Sequence, residues 1–238
     1  MEKPKDNKKQ IPEFELEVFK KSIKNFENSI MQLQDKIKNH EYSVVVGDDI
    51  SGRLPALVIY GLLKRIYKKD GVDQPKILFF KGKRWFSENK KKEEWKKNLI
   101  EELKDIKEKA FIKEKEKTLL VTEYIQNNNT ILNFMEPLYK SGLPYDVLSL
   151  SRNIDAEYFR EGELKVYDGG IVSKKSEGIP FWPDVTLKLS GVKSPKKEEE
   201  AEPFALRRKK NIKNVAIARN DVKKMIDYLE DYYYNLIK

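Results

Sequence analysis

The sequence contains no cysteine and only one histidine, His40. The lack of cysteine excludes disulfide bonds, thiolate nucleophiles and cysteine-ligated metals. A single imidazole cannot form a histidine-rich metal site or the two-histidine motif of a metalloprotease. Any acid–base or metal chemistry must therefore depend on carboxylates, hydroxyls, amides, lysines or backbone groups.

Long apolar runs are also absent. The longest run, residues 57–63, contains Gly61 and is far shorter than the roughly 18 apolar residues that a membrane-spanning helix needs. Residues 1–10 are almost wholly polar, so we expect no secretory signal and no membrane partner. The 238 residues are long enough for one substantial domain, and we expect a soluble, cytoplasmic protein.

The net charge of +9 is concentrated in two segments. Residues 81–117 hold 14 basic and 9 acidic groups, and residues 193–214 hold 8 basic and 4 acidic groups. Only eight of the 48 basic residues are arginine, the residue that phosphate and base recognition favours. Lysine in this abundance is typical of a solvated surface, and the two segments are the candidates for binding nucleic acid.

Near the N-terminus, apolar residues recur at alternating steps of four and three. This spacing predicts one helix of about 25 residues, starting after Pro12, with an apolar stripe along one face. The stripe favours a helix that faces the core, and a helix that pairs two copies in a homodimer is the alternative. The stripe residues are Phe19, Ile23, Phe26, Ile30, Leu33 and Ile37.

Four apolar runs that read as strands then alternate with helical patterns. They cover residues 42–46, 77–80, 118–122 and 145–150, and such alternation predicts an α/β fold with a doubly wound, mainly parallel sheet flanked by helices.

Beyond residue 152 the alternation weakens, because glycine, proline and aromatic residues gather there. We expect a small hood or flap of short strands or a β-hairpin, with residues 185–189 as the best strand candidate, and a last helix capped by Asn220. We interpret residues 1–238 as a single domain: an N-terminal helix in 1–39, a core in 40–152, and a hood with a C-terminal helix in 153–238.

Two strand-to-helix loops have the position of a ligand site. In an open parallel sheet, ligands bind beyond the carboxyl ends of the strands, where loop N–H groups and a helix N-terminus face an anion. The first loop is not a P-loop, because it lacks the Lys-Ser or Lys-Thr pair. A tight turn could require its glycines for backbone reasons alone, and its two aspartates would repel phosphate unless a cation bridged them. Its candidate residues are Gly47, Asp48, Asp49, Ser51, Gly52 and Arg53.

The second loop follows the third strand and is rich in asparagine. The amides, together with a helix N-terminus that we expect Thr130 to cap, predict a polar cradle for an anion. Glu123 at the strand end has the chemistry to bind ribose hydroxyls or Mg²⁺. A surface turn in an asparagine-rich protein would have the same composition. The candidate residues are Thr122, Glu123, Gln126, Asn127, Asn128, Asn129 and Thr130.

Taken together, the order of these elements over residues 40–152 resembles the type I phosphoribosyltransferase family. The resemblance implies that residues 47–53 contact pyrophosphate, that Glu123 contacts ribose and Mg²⁺, and that residues 126–130 hold the 5-phosphate. It also implies that a mobile loop starts after the second strand. The basic groups that would assist catalysis at the leaving pyrophosphate are Arg53, Lys81, Lys83 and Arg84.

The sequence departs from the family pattern in two places. Thr122-Glu123 stands where the family has two acidic residues, and asparagines stand where it has glycines. Phe181, Trp182 and Asp184 would form the base-binding hood that the resemblance implies, and a satellite apolar cluster under the C-terminal helix is the competing interpretation.

Three functional hypotheses remain open. The leading one is a phosphoribosyltransferase-like protein that binds phosphoribosyl pyrophosphate or a nucleotide with Mg²⁺ and transfers phosphoribosyl to a nitrogenous base. The alternative is a non-catalytic regulator or nucleic-acid-binding protein with the same fold. The third is an unrelated α/β module whose loops imitate the signature.

Overall fold

The computed structural model describes residues 11–48, 52–80, 89–109, 116–125, 129–153, 166–172 and 212–238. The elements in chain order are α1 (Glu17–Lys38), β1 (Tyr42–Asp48), α2 (Arg53–Lys69), β2 (Lys76–Phe80), α3 (Asn89–Lys109), β3 (Lys117–Ile125), α4 (Asn129–Lys140), β4 (Tyr145–Asn153), β5 (Val166–Asp168), β6 (Ile171–Val172) and α5 (Ile212–Leu236). Within these ranges, no helix is both long and apolar enough to cross a membrane.

The strands form one sheet in the order β2-β1-β3-β4-β5, with β6 also paired to β4. All of these pairings are parallel. Gly47 on β1 lies opposite Phe79 on β2 and Val121 on β3. The predicted α/β fold with a doubly wound parallel sheet is confirmed.

Each face of the sheet is covered by its own helices. α1, α2 and α5 pack on the face that carries Val45 and Leu119, whereas α3 and α4 pack on the face that carries Val44 and Leu120. Neighbouring residues of a strand point to opposite faces, so strands buried on both sides are apolar without interruption. This is why the strands were visible in the sequence as short apolar runs.

The apolar stripe of α1 faces the core, as predicted, and all of its residues are buried. The helix starts at Glu17 and not directly after Pro12, and its N-cap residue, Leu16, provides no capping side chain. The buried Asp221 of α5 accepts hydrogen bonds from the backbone N–H groups of Leu16 (2.7 Å) and Glu15 (3.3 Å). A carboxylate from the far end of the chain thus satisfies donors at this helix start.

One predicted detail near the C-terminus is wrong. Asn220 does not cap the last helix, because α5 begins at Ile212; the buried Ala218 shows that the packed face extends upstream of Asn220. The short strands expected after residue 152 include β5 and β6, but both run parallel to β4 and do not form a hairpin. The predicted strand at 185–189 and the hood at 173–211 lie outside the described residues.

Candidate ligand-binding site at the carboxyl edge of the sheet

The topology brings the ends of β1 and β3 to one crevice. The connection from β1 through α2 leads to β2 on one side, and the next crossover leads to β3 on the other side of β1. In a parallel sheet, such a switch of direction opens a crevice beyond the carboxyl ends of the two strands. Both loops that the sequence analysis selected start at this crevice.

Gly47 allows β1 to approach α2 closely. A Cβ atom at this position would lie 2.7 Å from the Cβ of Ala56 and 2.9 Å from the ring of Phe79, closer than real side-chain contacts allow. The packing of β1 between α2 and β2 therefore accounts for this glycine without a ligand.

Gly52 has a different role, because its backbone angles, φ −83° and ψ −5°, are ones that any residue can adopt. It is the N-cap of α2, has no capping side chain, and is followed by no acidic residue in the first turn. With no capping side chain on Gly52 and no acidic residue in the first turn, the N-terminus of α2 directs the positive end of its helix dipole to this edge.

Arg53, the first residue of α2, adds a full positive charge at the same place. Its guanidinium carbon lies 4.6 Å from the ring centroid of Phe79, at the end of β2. This cation–π contact fixes the half-buried side chain over the carboxyl edge. The end of β1 is thus lined by a cation and a helix N-terminus, which together favour an anion.

Thr122 and Glu123 lie within β3 and not in a loop, since the strand continues to Ile125. Thr122 is 5% exposed and Glu123 is 1% exposed. The alternation of the strand directs Glu123 to the face of Leu119 and Val121, which α2 helps to cover. A carboxylate is costly to bury. Its presence on a strand that is otherwise mostly apolar therefore indicates a polar role at this end of the sheet.

The start of α4 differs from the prediction. The helix begins at Asn129, so Thr130 is a helical residue and not the N-cap. Asparagine and threonine both suit the start of a helix, so residue type alone does not separate neighbouring positions. The backbones of Asn129 and Thr130 place the N-terminus of α4 just beyond β3, at the same edge as that of α2.

Arg152 is a cation at this edge that the sequence analysis did not identify. It lies at the end of β4, opposite Ile125 of β3, and its Nε donates to Oδ2 of Asp168 at 2.9 Å. Its side chain is 23% exposed, and its two terminal nitrogens form no hydrogen bond with any residue that the structure describes. Nothing in the sequence marks Arg152, because its contact with Asp168 exists only where β4 pairs with β5.

The amino edge of the sheet carries a separate polar network. The buried Asp146 accepts a hydrogen bond from the Tyr42 hydroxyl (2.9 Å) and forms ion pairs with Lys36 (3.4 Å) and Lys117 (3.5 Å). Burial and the charge of Asp146 raise the pKa of Tyr42 well above its ordinary value. Burial tends to lower the pKa of Lys36, but the hydrogen bond to Glu41 and the charge of Asp146 outweigh it and raise that pKa. These groups satisfy one another and lie far from the two loops.

The remaining predicted site residues lie outside the described part of the chain. This holds for the side chains of Asp48, Asn129 and Thr130 and for the whole of Asp49, Ser51, Lys81, Lys83, Arg84, Gln126, Asn127, Asn128, Phe181, Trp182 and Asp184. Among the residues that are described, no group of three or more His, Cys, Asp or Glu side chains could hold a metal ion. The magnesium prediction therefore depends on Glu123 together with oxygens that a ligand would supply.

Comparisons with known proteins show only a weak likeness to solved structures. No protein-family model matches the chain, and no curated protein matches it. A solved structure that it resembles is the purine phosphoribosyltransferase from Pyrococcus horikoshii Ot3, with 14% identity, 63% of this chain and 84% of that chain covered, and a TM-score of 0.35. With a TM-score that low, we draw no inference about function from this likeness.

Proposed function

We propose that this protein binds a phosphoribosyl compound, phosphoribosyl pyrophosphate or a nucleotide, at the carboxyl edge of its sheet. The observation that carries the proposal is the N-terminus of α2 at the topological switch point, with Gly52, which has no side chain, as N-cap and Arg53 in its first turn. A phosphate group satisfies both the backbone donors of a helix N-terminus and a guanidinium. The switch point is also where nucleotides bind in open parallel sheets.

The other residues at this edge suit the rest of such a ligand. Glu123 lies two residues before the end of the neighbouring strand β3, and a carboxylate accepts hydrogen bonds from ribose hydroxyls. The N-terminus of α4 lies beyond the same strand and offers a second set of backbone donors for another phosphate. Arg152 supplies a further positive charge on the far side of β3. One ligand with two phosphate-bearing ends and a polar sugar between them would use all of these groups.

Magnesium fits this arrangement as a companion of the ligand. Mg²⁺ is commonly held by one or two carboxylates together with phosphate oxygens and water, and needs no cage made only of protein groups. Glu123 is the residue that would hold it, and the ion would offset repulsion between the ligand's phosphates and nearby acidic side chains.

The reaction that this arrangement would serve is transfer of the phosphoribosyl group to a nitrogenous base. The bond from the ribose C1 carbon to the pyrophosphate oxygen breaks, a bond from C1 to a base nitrogen forms, that nitrogen loses its proton to water, and pyrophosphate leaves. Arg53 and the N-terminus of α2 would stabilise the negative charge that develops on the leaving group. Binding and transfer are separate claims and need separate measurements.

Calorimetry with phosphoribosyl pyrophosphate, with and without Mg²⁺, tests the binding claim. We expect saturable binding to one site, strengthened by Mg²⁺ and weakened in the Arg53→Gln variant. Release of pyrophosphate in the presence of a panel of purine and pyrimidine bases then tests transfer. Absence of binding under both conditions would overturn the proposal.

Titration with RNA and DNA distinguishes the alternative function. A non-catalytic nucleic-acid-binding protein would bind with an affinity that falls steeply with salt concentration, and phosphoribosyl pyrophosphate would not compete. That result, with no pyrophosphate release, would replace our proposal by the alternative of a regulator or nucleic-acid-binding protein.

A further inference from the structure

One face of α1 forms a ladder of side-chain amides against the outer strands of the sheet. Asn25 donates to the carbonyl of Leu150 (2.7 Å), and Asn28 donates to the carbonyl of Gly169 (2.9 Å). Gln32 donates to the carbonyl of Asp168 (2.5 Å). Spacings of three and four residues place these amides on one face of the helix. They bind the backbone on both sides of the β4–β5 pairing.

The segment that the ladder holds is also tied to β4. The N–H of Gly169 donates to the carbonyl of Ser149 (2.9 Å), and the N–H of Arg152 donates to the carbonyl of Gly170 (3.0 Å). A Cβ atom at Gly169 would collide with the carbonyl oxygens of Asn25 and Leu150. Close contact with α1 on one side and β4 on the other restricts the backbone of residues 168–170.

This rigid backbone carries the carboxylate that binds Arg152. Asp168 is the last residue of β5; its carbonyl accepts from Gln32 and its Oδ2 accepts from Nε of Arg152. Both side chains of the Arg152–Asp168 pair are about one quarter exposed, at 23% and 24%. The guanidinium is thus held through one nitrogen, while its two terminal nitrogens have no hydrogen-bond acceptor among the described residues.

We propose that Asp168, Asn28 and Gln32 are positioning residues for Arg152, which they hold so that its terminal nitrogens receive an oxygen of the ligand. The inference rests on the proposed function and extends it to the N-terminal helix. An arginine with many rotamers loses entropy when it is immobilised, and a carboxylate anchored in advance removes part of that loss from binding. Asp168 orients the guanidinium, Gln32 holds the backbone of Asp168, and Asn28 holds the backbone of Gly169 beside it.

The first measurement concerns the guanidinium itself and needs no ligand. Hydrogen exchange at Nε of Arg152, followed by NMR and assigned through the Arg152→Lys variant, reports whether the guanidinium is held. We expect exchange at least about fivefold faster in Asp168→Asn and in Gln32→Ala than in the wild type. Gln34→Ala is the matched control, because Gln34 is the same residue type on the same helix and its side chain forms no hydrogen bond with another described residue.

The second measurement is a double-mutant cycle on the affinity for phosphoribosyl pyrophosphate with Mg²⁺. We expect Asp168→Asn and Gln32→Ala each to weaken binding by about three- to tenfold in the wild-type background. In an Arg152→Ala background the same changes should have no further effect, because nothing is left to position. A merely structural contact would weaken binding equally in both backgrounds, and that result would overturn the proposal.

The two measurements separate the possible failures. Unchanged exchange at Arg152 in the Gln32→Ala variant overturns the positioning role, whatever the ligand. No binding of phosphoribosyl pyrophosphate to the wild type, with the exchange difference intact, overturns the proposed function alone. Equal loss of affinity in the Gln34→Ala control would show a general effect of α1 and would also contradict the proposal.

Discussion

The two edges of the sheet use polar residues in opposite ways. At the amino edge, Asp146 is surrounded by Tyr42, Lys36 and Lys117, and each of these groups has a partner of suitable charge. At the carboxyl edge, the N-cap of α2 is Gly52, which has no side chain, and the two terminal nitrogens of Arg152 have no hydrogen-bond acceptor among the described residues.

On our proposal, the amino edge stabilises the fold and the carboxyl edge binds the ligand. Charged groups that pair with one another within the protein connect the strands, but they have few donors or acceptors available for a ligand. The positive end of the α2 dipole and a guanidinium that is hydrogen-bonded through one nitrogen would bind a suitable anion. Substitutions at the amino edge should therefore change stability, and substitutions at the carboxyl edge should change affinity.

The largest effect should follow removal of the central acid of the amino edge. Asp146→Ala leaves the Tyr42 hydroxyl and two lysines without their shared acceptor, and we expect the free energy of unfolding to fall by about 3 kcal/mol. Urea denaturation measures this loss. Asp35→Ala, at an exposed position of α1, is the control and should change stability by less than about 0.5 kcal/mol. Ligand affinity measured well below the transition should be the same in all three proteins.

At the carboxyl edge, Glu123→Gln should weaken binding of phosphoribosyl pyrophosphate by roughly tenfold to a hundredfold, the free-energy equivalent of one hydrogen bond to a charged group. Glutamine keeps the shape of the side chain, so any loss in melting temperature should be small. Titration calorimetry with Mg²⁺ provides the measurement. If affinity is unchanged and stability falls instead, Glu123 belongs with the structural groups of the sheet and the comparison of the edges fails.

The amino edge should also make stability sensitive to alkali. Tyr42 has its pKa raised on folding above the ordinary value of 10.0, so the unfolded chain loses this proton at lower pH than the native protein does. Its contribution is complete below about pH 10 and is lost as the pH rises further, by about 1.4 kcal/mol per pH unit. The raised pKa of Lys36 acts in the same direction.

Tyr42→Phe tests this dependence, because the variant cannot ionise at that position. We expect it to be about 1 kcal/mol less stable than the wild type at neutral pH, through the lost hydrogen bond to Asp146, and to lose stability less steeply above about pH 10.5. Unfolding free energies measured across the alkaline range would show it. Tyr139→Phe, at a largely exposed position, should have the same dependence of stability on pH as the wild type. If the stability of Tyr42→Phe falls as steeply with pH as that of the wild type, the prediction is contradicted.

The smallest effect should come from Arg53, whose charge is partly screened by solvent. Arg53→Gln should weaken pyrophosphate binding by about fivefold, or roughly 1 kcal/mol, and should make binding less sensitive to salt. Arg65→Gln is the matched control on the same helix, because Arg65 pairs with Asp227 and Glu230 of α5 and should affect stability alone. An equal loss of affinity in both variants would show that α2 has no dedicated anion site.

The sequence determined the fold class and the place of the crevice. Apolar runs of strand length alternate with helical patterns, and burial of strands on both faces leaves a signal that is local and strong. The apolar stripe of α1 was readable for the same reason. Boundaries were less certain, as Thr130 and Asn220 show, because several neighbouring residues suit a helix start equally well and only packing selects among them.

Tertiary structure alone decided which polar residues act together. Asn25, Asn28 and Gln32 look in the sequence like a solvated helix face, yet they bind carbonyls more than a hundred residues away. Arg152 and Asp168 become a pair only because β5 is placed next to β4, and Asp221 reaches the start of α1 only through the docking of α5. A periodic pattern records which residues are buried, since burial is repeated along each element, whereas a hydrogen bond between distant residues has no period and leaves no trace in the sequence.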